Sequence, residues 1–184
     1  MTRATTLAEM KRDGVGWLVV ADDGRVSEST PALNPVLVVT PDPNLRYGDC
    51  HGAVTSALKN FNEVNRKDGL RDMCEIVEGE TEDLALICVR RNLLRMDAMA
   101  IKNMDWSEQI NALASVNAYN PGCTPIIDDS FKTDLHSFRG ARNLVDHKVS
   151  NKRDDKRRQL QFAERMMQGP RIVAELVRLK RKTR

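Results

Sequence analysis

Long apolar runs are missing from this chain of 184 residues, so no membrane-spanning helix is expected. Aromatic side chains make up only 4% of it, and beyond Tyr119 there are just Phe131, Phe138 and Phe162. That scarcity argues against a stacking platform for single-stranded bases in the C-terminal part. Cysteines in close pairs are lacking as well. Cys50, Cys74, Cys88 and Cys123 stand 24, 14 and 35 positions apart, unlike the ligands of a zinc site. The opening MTRATTLAEMKRDG is charged every few residues and has no apolar stretch of the kind that directs export, so a cytoplasmic location is expected. There the thiols stay reduced, and Cys74 and Cys88, inside apolar runs, read as small buried hydrophobes. Internal repeats and low-complexity segments are absent too.

Positive charge, by contrast, is present in excess at one end. The formal net charge is +3, yet residues 139–184 hold fifteen Lys and Arg against five Asp and Glu, a net +10. Residues 1–138 hold fourteen against twenty-one, a net −7. Such asymmetry points to an interaction segment, most often for nucleic acid or another anionic surface. The chain divides accordingly into an acidic body, residues 1–125, and a basic helical arm, residues 126–184.

Within the body, the β-branched apolar run Trp17–Ala21 reads as a buried strand closed by the turn residues Asp22, Asp23 and Gly24, with Val26–Ser29 returning beside it. Val36–Thr40 repeats the pattern after Pro35, and Met73–Val77 and Leu84–Val89 flank the polar stretch EGETED as two more strands, with LALICVRRNLL, residues 84–94, also readable as helix. Helices are expected at Leu7–Arg12, at Val54–Val64, where apolar residues recur every three or four positions, and at Leu93–Met104. A further helix, opened by an Asp105/Glu108 capping box, is expected to run to Ala118. The order implies an α/β (or α+β) body, a mixed sheet of about five strands packed with helices.

In the arm, Gly169-Pro170 reads as a joint, since glycine favours the position just past a helix and proline the first position of the next. Each half carries an apolar stripe, Leu160, Ala163 and Met167 before the joint and Ile172, Leu176 and Leu179 after it. A basic C-terminal helical hairpin follows from this reading. Its polar positions supply the candidate phosphate contacts: Lys152, Arg153, Lys156, Arg157, Arg158, Arg165, Arg171, Arg178, Lys180, Arg181, Lys182 and Arg184. Cations in the last turn also suit the helix dipole without any ligand, but that accounts for Arg178 to Lys182 and not for the whole excess.

No catalytic residue, metal site or cofactor is expected. Cys50 and His51 are adjacent and lack an orienting third residue, and His136 and His147 lie far along the chain. The loop around Gly48 and Gly52 matches neither a P-loop nor a dinucleotide fingerprint. Asp22 and Asp23 would hold a divalent cation only if Asp49, Asp128 or Asp129 joined them. This acidic pair at a strand end, with a returning strand after it, resembles the opening of ribonuclease H-type nucleases, and a second motif of that family is absent. The expected function is non-enzymatic binding of nucleic acid, RNA before DNA, in a ribonucleoprotein- or virion-type assembly. The alternatives are an assembly factor whose arm docks on an acidic protein surface, including a second copy's body, and a metal-dependent nuclease built on Asp22 and Asp23.

Overall fold

The computed structural model describes residues 38–40, 42–114, 125–146 and 152–184, together with two short strands. The chain forms two compact units, Met1–Thr40 and Pro41–Arg184. In the first, β1 (Leu18–Val20) pairs antiparallel with β2 (Val26–Glu28), with Val19 opposite Ser27.

Among the described residues the second unit is built of helices, with one isolated bridge between Ala114 and Ile127. A 3-10 turn, Gly48–Cys50, leads into α1 (His51–Lys59), which ends in a π-helical turn, Asn60–Val64. Next comes α2 (Arg66–Arg90), then α3 (Ala98–Asn103), α4 (Trp106–Leu113), α5 (Asp129–Asp146) and α6 (Lys152–Thr183). The mixed five-stranded sheet expected from the sequence is therefore not what this chain builds. Met73–Val77 and Leu84–Val89 both lie inside α2, and residues 38–40 are not in a strand. Leu7–Arg12, residues 36–37 and Ala118 lie outside the described residues.

The physical reason is visible along α2, the axis of the unit, which is about 37 Å long at a rise of 1.5 Å per residue. Leu70, Met73, Cys74, Val77, Leu84, Ala85 and Cys88 are all buried, and they recur at helical spacing. Glu80 and Thr81 occupy the same face midway and are also buried, so two polar residues interrupt a stripe that is otherwise continuous. Read without them, the halves look like separate apolar strands. Thr81 satisfies its hydroxyl by donating to the Val77 carbonyl at 2.7 Å. At the start, the Asn65 side chain accepts from the Lys67 and Asp68 amides at 2.9 and 3.4 Å, a well-formed N-cap. The capping box of α4 is present as well, with the Asp105 side chain accepting from the Glu108 amide and the Glu108 carboxylate from the Asp105 amide.

The expected hairpin in the arm is likewise corrected, because α6 is one helix with Pro170 inside it. Proline in a helix interior forfeits a hydrogen bond and costs about 3 kcal/mol. Packing on both sides of it outweighs that loss. Phe162, Ala163, Met166, Ile172, Val173, Leu176 and Val177 are buried, and α6 makes its most extensive contact with α2 and a further one with α5. Each large side chain so buried contributes roughly 1.5–3 kcal/mol. Gly169 is there for proximity rather than as a helix stop. A Cβ at this position would stand 2.4 Å from Met73 Cγ and 3.3 Å from Phe138 Cζ, so its absence lets α6 settle against α2 and α5.

Candidate nucleic-acid interface

Because α6 is part of the core, its cations fall into two groups. One is already engaged by partners within the chain. Lys180 has a side chain 12% exposed and places Nζ 2.7 Å from Glu80 Oε2, whose side chain is 9% exposed. This contact is an off-axis ion pair, and the directed hydrogen bond from Lys180 goes to Asp83 Oδ2 at 3.3 Å. Arg158 donates to the Leu144 carbonyl and lies 5.5 Å from the centroid of the Phe162 ring, tying α6 to the end of α5. Arg165 donates to Ser137 Oγ at 2.5 Å and to Gln168 Oε1 at 3.1 Å. Arg178 engages the Glu175 carboxylate through Nε at 2.7 Å and Nη2 at 2.5 Å, and Glu175 raises the Arg178 pKa by hydrogen bonding first and by its charge second.

The other group is unspent. Arg157, Arg171, Arg181, Lys182 and Arg184 are exposed and form no side-chain ion pair or hydrogen bond among the described residues. Helical periodicity puts Arg157, Arg171, Arg178 and Lys182 on the solvent side of α6, opposite the buried stripe. Lys152, Arg153 and Lys156 belong to the first turns of the same helix, and their side chains lie outside the described residues. Two cations of α5, Lys132 and Arg139, were not singled out by the charge pattern of the arm. They act on His136, whose pKa is lowered by burial first, then by Arg139 and Lys132. The residues that sequence reasoning missed entirely are the anionic partners, Glu80, Asp83 and Glu175. Only the Glu175–Arg178 pair had a legible signal, its i,i+3 spacing.

The candidates for chemistry are not assembled into a site. The Cys50 thiol is pushed up to about 12, chiefly by burial and then by its hydrogen bond to Glu80 and the charge of that carboxylate, so it stays protonated at neutral pH. His51 is exposed on α1, with its ring centroid 6.1 Å from that of Tyr47. Gly48 takes a positive φ of 56° in the 3-10 turn, under Val177 and Arg181 of α6. Asp128 is spent on the start of α5, accepting from the Phe131 amide at 2.8 Å. Among the described residues there is no group of three or more His, Cys, Asp or Glu side chains able to hold a metal ion. Asp22, Asp23 and His147 lie outside them. No described helix is long and apolar enough to cross a membrane.

What the arrangement offers is therefore a helix face bearing cations unpaired among the described residues, on a helix packed into the core. Comparison with protein-family models, with curated proteins and with solved structures gives no match to this chain.

Proposed function

We propose that the chain binds the phosphate backbone of nucleic acid, RNA in preference to DNA, through the outward face and C-terminal end of α6. The observation that carries this reading is the set of five cations, Arg157, Arg171, Arg181, Lys182 and Arg184, left without partners among the described residues on a helix that is otherwise anchored in the core. Each cation that neutralises a phosphate releases a condensed counterion, so affinity falls steeply with salt. The inner face of α6 is committed to α2 and α5, which leaves a strip suited to backbone contact rather than to base readout in a groove. Phe138 and Phe162 are buried, so they offer no platform for stacked bases.

The alternation of Glu164 and Glu175 with the cations supports a second reading, in which the same strip seats on a mixed or acidic protein surface. Fluorescence anisotropy of single- and double-stranded RNA and DNA oligonucleotides with the full chain separates the two. Deleting α6 would not serve as a test, because it removes part of the core. Converting Arg157, Arg171, Lys182 and Arg184 together to Gln leaves the fold intact, since exposed substitutions stay within about 0.5 kcal/mol each. The expected result is salt-sensitive binding by the wild type, and in the variant a slope of log affinity against log salt that is shallower by about 0.7 per lost contact on a single strand. Equal slopes, or no binding of any oligonucleotide at low salt, would reject the proposal and favour the protein partner.

A further inference from the structure

Resting on that reading, we infer that Glu175 is a built-in competitor for phosphate that limits the affinity of the α6 face by occupying Arg178. Arg178 stands in the row of outward cations, between Arg171 and Lys182, and its side chain is 60% exposed. Position alone would make it a central phosphate ligand. Its Nε and Nη2 are instead both taken, at 2.7 and 2.5 Å, by the two oxygens of Glu175, whose side chain is 35% exposed. This is the two-toothed geometry in which a guanidinium also receives a phosphate, so a nucleic acid must displace the carboxylate or approach the remaining Nη1 with a negative charge next to it.

The pair differs from the one at Lys180, which is buried and structural. Glu175 and Arg178 are three residues apart on one helix and need no other element to hold them together. Loss of Glu175 therefore frees a cation without opening the fold. The consequence for function is weak, readily reversed binding: one cation of the row is held back by an acid of the same face.

A double-mutant cycle with a single-stranded RNA oligonucleotide tests this. Glu175→Ala should tighten binding at low salt by about 2- to 5-fold, the range that an exposed ion pair of this kind is able to withhold. It should also steepen the salt slope by about 0.7, because one more cation now meets a phosphate. Arg178→Ala alone should change affinity less than about 2-fold, since its fork is already filled. The double variant should return to the level of Arg178→Ala. Glu75→Ala, on the exposed side of α2, controls for the change in net charge and should leave the salt slope unaltered. Helical circular dichroism of every variant should match the wild type. A gain from Glu175→Ala that persists without Arg178, or that Glu75→Ala reproduces in full, overturns the inference while leaving nucleic-acid binding intact. Failure of the wild type and Glu175→Ala alike to bind at low salt overturns both.

Discussion

Lys180→Met is expected to lower the unfolding free energy by about 3–5 kcal/mol, measured as a shift of the urea midpoint at unchanged slope. The substitution keeps the length and apolar stem of the side chain and removes only its charge. Glu80 then keeps a carboxylate in a site where its side chain is 9% exposed, beside the Cys50 thiol and without the ammonium that stood 2.7 Å away. An uncompensated buried charge is what makes such a loss large. Most of it should return when Glu80 is also replaced by Met, since two apolar groups of similar volume satisfy the site better than one stranded carboxylate. Asp83→Asn should matter little, below about 1 kcal/mol, because that carboxylate is 61% exposed and its share of the interaction is screened. A Lys180→Met variant as stable as the wild type would mean that the pair does not hold α6 against α2.

The same substitution at two glycines of α2 should have opposite signs. Gly69→Ala is expected to destabilise by about 3 kcal/mol or more, in the upper range of overpacking, because its Cβ would sit 2.3 and 2.5 Å from the backbone N and Cα of Phe61 and 2.6 Å from its Cβ. Main chain has no rotamer to move aside. The turn between α1 and α2, held by the Asn65 cap and by the Asn60–Asp72 hydrogen bond at 2.9 Å, would have to shift as a unit. Gly79→Ala, ten residues further along the same helix, meets nothing within 4 Å and is expected to stabilise by about 0.5–1 kcal/mol through helix propensity alone. Thermal unfolding of the two single variants reads both. Two values of the same sign would show that the close approach of Gly69 to Phe61 is not a constraint on this fold.

Both expectations explain where the sequence was legible and where it was not. The Asp105/Glu108 box and the apolar periodicity beginning at Val54 are local signals, and the helices they announce are present. The expected strands resemble apolar runs only over short windows, because Glu80 and Thr81 place polar residues on the buried face of one continuous helix. Their reason for being there, an ion pair to a residue 100 positions later and a hydroxyl bonded within its own helix, is tertiary for the first and hidden for the second. The joint at Gly169-Pro170 failed for a related cause. Local chemistry favours a break at that dipeptide, but contact with Met73 and Phe138 selects glycine for its size, and packing on both flanks carries the helix through proline. The charge excess itself was plain in the sequence. Its division between cations that hold the fold and cations that face solvent depends on which carboxylates lie opposite, and that is a property of the packed structure alone.

Residue-resolved hydrogen exchange tests most directly the central claim, that the basic C-terminal segment is a core helix presenting its spare cations on one side. The amides from Ala163 to Val177, other than at Pro170, which has none, are predicted to exchange in step with those from Leu70 to Leu84, both at the rate set by global unfolding. Exchange of the α6 amides orders of magnitude ahead of those of α2 would contradict the account, because it would make the segment an appendage whose charge is independent of the fold.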